Sequence, residues 1–149
     1  MTPQEELLDQ LRDERARSEV LIHETADEYF TLIGDRFPVA GSKIDWDHVP
    51  KSIVRCVSTE DIDRYLNDAD QFLAEVLSAE HLDKDQLVVV VNDRALEVAL
   101  TMSLRTLVVC LRRILCVPQH TYVVAVDGAW CMAFTMEGDL CFGFAPSRA

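Results

Sequence analysis

Large apolar residues take every second position near the end of the chain: Tyr122, Val124 and Val126, then Trp130, Met132 and Phe134, then Leu140, Phe142 and Phe144. A period of two is the spacing of strands with one face buried, and Asp127-Gly128 and Glu137-Gly138 supply turn residues between the runs. A three-stranded antiparallel meander is expected. The large residues fall on one face and Cys131, Ala133, Cys141 and Gly143 on the other, so a helix is expected to cover the aromatic face.

That helix is read just upstream. Residues 87–91, Leu-Val-Val-Val-Val, form an unbroken apolar run with the character of a buried strand, and Asn92-Asp93 then offers two side chains able to cap a helix. From Arg94 onward Leu96, Ala99, Leu100, Leu104, Leu107, Val108, Leu111, Ile114 and Leu115 recur at three- and four-residue steps, while Arg94, Glu97, Thr101, Arg105 and Arg112 form a narrower polar stripe. The pattern is that of a helix buried over most of its circumference, and Pro118 stops it. Residues 87–146 thus read as strand, long buried helix and meander, with the first strand able to join the same sheet.

The N-terminal part is more helical in pattern. Thr2-Pro3-Gln4-Glu5 has the makings of a capping box. Leu7, Leu8 and Leu11 follow, then Ile22, Ala26, Tyr29, Phe30 and Ile33 at helical spacing up to Gly34, as one long helix or two in sequence. The segment 34–58, with Pro38, Gly41, Pro50 and the apolar pair Ile53-Val54, reads as a packed loop with room for a short strand or helical turn. In it Trp46, flanked by Asp45, Asp47 and His48, is either an anchor for the loop or an exposed recognition residue. Ser58-Thr59 opens another helix, whose apolar stripe from Ile62 to Leu77 predicts that it runs to about Glu80. Asp61, Asp68 and Glu75 are seven apart and lie along one line of it, with Asp63 and Asp70 on an adjoining line.

At 149 residues the chain is long enough for one α+β domain spanning residues 1–149, burying roughly 70% of its unfolded surface. The start is polar and acidic, without the basic flank and apolar run of a secretory signal, and Arg105 and Arg112-Arg113 interrupt the most apolar helix before it could span a bilayer. A cytoplasmic location is expected. Five cysteines, an odd number without Cys-x-x-Cys spacing, fit reduced core residues better than disulfides or zinc.

Charge is distributed unevenly. Residues 1–86 hold 21 Asp and Glu against 9 Lys and Arg, a net −12, whereas residues 87–149 hold 5 of each, so the whole excess lies in the first part. Such a field repels nucleic acid and anionic membrane and attracts cationic partners.

No cofactor and no metal is expected. His23 and Asp27, four apart, have no third ligand nearby, and Asp83-Lys84-Asp85 lacks the glycine and terminal glutamate of an EF-hand loop. His120 close to Cys116 has neither a nucleophile elbow nor an oxyanion loop beside it, and no nucleotide-binding glycine motif occurs. The acid ladder is either a solvated helix face or a surface kept for a basic partner, since like charges on adjacent turns cost the helix stability.

With its acidic helix at residues 58–80 and its closing strands at 122–144, carrying Asp127-Gly128-Ala129-Trp130 and Glu137-Gly138-Asp139-Leu140 at their turns, the chain resembles the immunity proteins of bacterial polymorphic toxin systems, including contact-dependent growth inhibition. That resemblance implies a cytoplasmic protein that binds and blocks one cognate toxin domain. Asp61, Asp63, Asp68, Asp70 and Glu75 would meet Lys and Arg in the toxin's basic cleft, with Trp46 as a desolvated anchor. Two other readings stay open: a small enzyme using His120 with a nearby acid, and a homo-oligomeric adaptor. The oligomeric state is not set by the sequence.

Overall fold

The computed structural model of the chain describes residues 1–147. Its strands are β1 (Val20–His23), β2 (Val39–Ala40), β3 (Lys43–Ile44), β4 (Ile53–Cys56), β5 (Leu87–Asn92), β6 (Ala99–Ser103), β7 (Thr121–Ala125), β8 (Trp130–Phe134) and β9 (Asp139–Phe144). The helices are α1 (Pro3–Gln10), α2 (Arg12–Ala16), α3 (Asp27–Arg36), α4 (Ile62–Ala79) and α5 (Leu104–Leu115). Seven strands form one sheet in the order β1-β6-β5-β7-β8-β9-β4, every neighbouring pair antiparallel, and β2 and β3 make a separate ribbon. The fold is α+β. Among the described residues no helix is long and apolar enough to cross a membrane.

The meander forms as its alternation predicts, and the first strand, β5, joins the sheet beside β7. Its facing differs in one strand. Pairing sets Val123 opposite Met132 and Val124 opposite Cys131, so Val123 and Ala125 join Trp130, Met132, Phe134, Leu140 and Phe142 under the helices. Tyr122 and Val124 lie on the other face with Cys131, Ala133 and Cys141. Because side chains alternate, the register fixed by the turn at Asp127-Gly128 decides which half of β7 faces which layer.

The long helix after Asn92 does not form over its first half. Asn92 does bind backbone as a cap would, accepting from the Arg94 and Ala95 amides at 3.0 and 2.7 Å, but the chain then turns into β6. Ala99 packs on one face of the sheet and Leu100 and Met102 on the other. A strand buried on both faces is apolar all round and imitates a buried helix in sequence. The helix starts anew at Leu104, where the Ser103 hydroxyl accepts from the Thr106 amide at 3.1 Å. What remains is amphipathic: Leu104, Leu107, Cys110, Leu111 and Ile114 are buried, and Val108 and Val109 are exposed.

Residues 1–86 are not only helical, since they supply both edge strands, β1 and β4. Thr2 and Glu5 form the expected capping box. Ile22, placed by spacing in a helix with Ala26, lies instead in β1, and the helix begins at Asp27; Gly34 sits inside α3 and does not end it. Helices α1, α5 and α4 cover one face of the sheet. On the second face α3 and the loop before β4 bury Ala26, Ile33, Phe37, Ile44 and Val49.

Two glycines give opposite expectations. Gly138 turns β8 into β9 at φ +91°, and a Cβ there would overlap the Val57 carbonyl oxygen. Gly138→Ala is expected to cost about 2 kcal/mol and to lower the thermal midpoint by roughly 4–8 °C. Gly34 is exposed within α3 with open space around it, so Gly34→Ala should raise stability by up to about 1 kcal/mol. Thermal denaturation followed by circular dichroism checks both signs.

Candidate functional site

Helix α4 carries the acids singled out by sequence. It starts at Ile62, three residues later than Ser58-Thr59 suggests, because Asp61 is the cap: its carboxylate accepts from the Asp63 and Arg64 amides at 3.0 and 3.4 Å. Tyr65, Leu66, Ala69, Phe72, Leu73, Val76 and Leu77 are buried. At 3.6 residues per turn, Asp61, Asp68 and Glu75 run along one border of that buried stripe, while Asp63 and Asp70 run along the opposite border. The two lines are therefore not adjoining. The outward crest between them, Arg64, Asn67, Gln71, Ala74 and Ser78, is largely neutral.

Their contacts agree with this placement. Glu75 forms an ion pair with Arg55 of β4 and accepts from Gln71 Nε2 at 3.0 Å; the Arg55 hydrogen bond holds its carboxyl below the usual range. Arg55 also lies 5.7 Å from the Phe72 ring centroid. Across the helix, Asp70 accepts from Arg112 of α5 at 3.1 Å, and the same guanidinium donates to Asn67 Oδ1 at 2.7 Å. Glu75 and Asp70 thus tie α4 to its two neighbours, at no more than about 1 kcal/mol per exposed pair. Asp63 and Asp68 have no cationic partner among the described residues.

Trp46 is on the other side of the sheet. It opens a single 3-10 turn (Trp46–His48), is half-buried, and lies with its ring centroid 6.4 Å from that of Phe37. Gly143 makes room for it, since a Cβ there would stand 3.2 Å from Trp46 Cζ3 and 2.6 Å from Val49 Cγ1. Trp46 anchors the loop, on the face opposite the acid helix.

His120 is buried, and its contacts are structural. Its amide donates to Asp93 Oδ1 at 3.1 Å, its carbonyl accepts from the Asp93 amide at 3.2 Å, and its Nδ1 accepts from the Met136 amide at 3.2 Å. Glu137 Oε2 is 3.6 Å from the same Nδ1. Of the two contacts to Nδ1 the amide is the shorter and is directional. The ring joins the start of β7 to the β8–β9 turn. His23, on β1 and not on a helix, has Nε2 2.6 Å from Thr101 Oγ1. Among the described residues no three His, Cys, Asp or Glu side chains converge as metal ligands would.

Two surfaces escape a reading by sequence. One is a groove of about 270 Å³ between the start of α4, the end of α5 and the β8–β9 turn, with Tyr65, Leu115, Val117 and Phe134 among its walls and the exposed Ile62, Cys116 and Met136 at its mouth. The other lies on the second face of the sheet, where Leu21, Leu87 and Val126, which face the same way, are each about half exposed. Of the cysteines, Cys110, Cys131 and Cys141 are buried, and burial pushes their thiols up, that of Cys141 to about 12. Cys56 and Cys116 are exposed.

No protein-family model matches the chain, and no curated protein matches its sequence.

Proposed function

We propose that the protein is a stoichiometric inhibitor that binds a cation-rich protein surface, and that it acts in the cytoplasm as an immunity protein against a cognate bacterial toxin. The observation that carries this reading is the charge at the start of α4. Glu60, Asp61 and Asp63 are exposed, Asp68 follows within two turns, and Asp63 and Asp68 face no cation among the described residues. Asp61 and Asp63 sit at the N-terminus of α4, where the helix dipole favours them, so what they and Asp68 offer is uncompensated negative charge that an approaching Lys- or Arg-lined cleft would meet. In the complex Asp61, Asp63 and Asp68 would meet the toxin's basic groups and block its substrate cleft. Asp70, Glu75 and Trp46 would contribute less directly, because each already holds two parts of the fold together.

The test is coexpression with the C-terminal domain of the protein encoded immediately upstream of this gene. Restored growth together with a one-to-one complex in size-exclusion chromatography supports the proposal. Turnover of a substrate by the isolated chain, or no complex and no protection, contradicts it. A second reading, self-association, is favoured by Leu21, Leu87 and Val126 on the second sheet face. A monomer in sedimentation at working concentration removes it.

A further inference from the structure

We propose that the groove between α4 and α5 is a docking site for a protein segment that presents an apolar side chain flanked by Lys or Arg. In assigning that segment to an inhibited partner the proposal rests on the function above; the groove's own chemistry does not. Ile62 and Met136, 55% and 53% exposed, stand at its mouth over a floor that includes the fully buried Phe134. Large apolar side chains left half in water beside a preformed apolar hollow gain most by covering it with another apolar group.

The rim determines which apolar group. Glu60 and Asp61 lie in the chain between Thr59 and Ile62, both of which line the groove; Asp63 comes next, and Glu137 follows Met136. No Lys or Arg is among the lining residues. Lys43 reaches Glu137 at 3.2 Å, in an exposed pair that a competing cation could replace at little cost. An anionic segment would meet four carboxylates there, and a neutral one would gain only the apolar contact. A basic one gains both.

Cys116 makes occupancy measurable. Its exposed thiol lines the groove, while Cys56, also exposed, lies on edge strand β4 and serves as an internal reference. The probe is a short peptide of leucines flanked by lysines, with a counterpart whose lysines are glutamates, and alkylation of each thiol by N-ethylmaleimide is followed by mass spectrometry. At about ten times its Kd the lysine-flanked peptide should slow Cys116 alkylation about tenfold, since only the free fraction reacts. Cys56 should be unaffected, and so should both thiols with the glutamate-flanked peptide. Ile62→Lys and Met136→Lys alter exposed positions and should each abolish the protection. Equal protection by both peptides, no protection by either, or protection that survives both substitutions overturns the proposal. The same footprint on the complex with the upstream-encoded toxin domain separates the two ideas: a complex in which Cys116 reacts freely leaves the inhibitor reading standing and removes the groove from it. Absence of a complex, with peptide protection intact, does the reverse.

Discussion

Phe72→Ala is expected to destabilise the protein by about 4 kcal/mol, the middle of the range for removing a buried aromatic ring. Phe72 is 1% exposed and meets Phe134 of β8 edge-on at 6.2 Å between centroids. Its outer side carries the Arg55 guanidinium of edge strand β4. Deleting the ring therefore opens a cavity between α4 and the sheet and also leaves Arg55 without its aromatic support. Urea denaturation should show a lower midpoint with an unchanged slope, the signature of lost stability without a change in the surface exposed on unfolding. A loss under about 1 kcal/mol would mean that α4 is not seated on the sheet as described.

The Glu14–Arg113 pair should be nearly as costly to break. Glu14 of α2 is 7% exposed, and its Oε1 is 2.8 Å from Arg113 Nη2 of α5, while Arg113 also donates to the Gln10 carbonyl at 2.9 Å. Removing Arg113 leaves the nearly closed Glu14 carboxylate unpaired, whereas removing Glu14 leaves an Arg113 that is 31% exposed and still bonded to the Gln10 carbonyl. Arg113→Ala is therefore expected to cost about 3 kcal/mol and Glu14→Ala about half of that, and replacing both with Met should cost much less than the sum. The hydrogen bond from Arg113 holds the Glu14 carboxyl below its ordinary value of 4.5. The carboxyl binds a proton more readily in the unfolded chain, so its contribution to stability is present above pH 4.5 and is lost as pH falls through the lower folded value. Stability measured against pH should fall less steeply in that acid range for Glu14→Gln than for the unaltered protein. An identical slope would show that the pair does not form.

The sequence conveys the parts of this fold whose pattern has one interpretation. Alternation with glycine turns identifies β7, β8 and β9, the valine run identifies β5, and Thr2 and Glu5 mark the start of α1. Strand β6 is hidden because it is buried on both faces, so Leu96, Ala99 and Leu100 can be threaded onto the front of a helix that begins only at Leu104. Strand β1 is hidden for a related reason: Ile22 happens to stand four residues before Ala26. The facing of Tyr122 depends on a register that composition does not encode.

The acids of α4 are legible in the same way, and their pairing is not. Arg55 and Arg112, which neutralise Glu75 and Asp70, are twenty or more residues away in the chain and arrive only through the sheet order and the packing of α5 beside α4. The groove escapes sequence reading more completely, because Ile62, Cys116 and Met136 come from three separate segments and none belongs to a motif.

Kinetics of association with the proposed partner, the C-terminal domain of the protein encoded immediately upstream, followed by stopped flow across a range of ionic strength, test the central claim most directly. If unneutralised carboxylates on α4 draw in a basic surface, the rate constant falls steeply as salt rises, and replacing Asp63 and Asp68 together with Asn slows association several-fold at low salt while the circular dichroism of the folded chain is kept. A rate that ignores salt, and is the same for that double variant, would contradict the account.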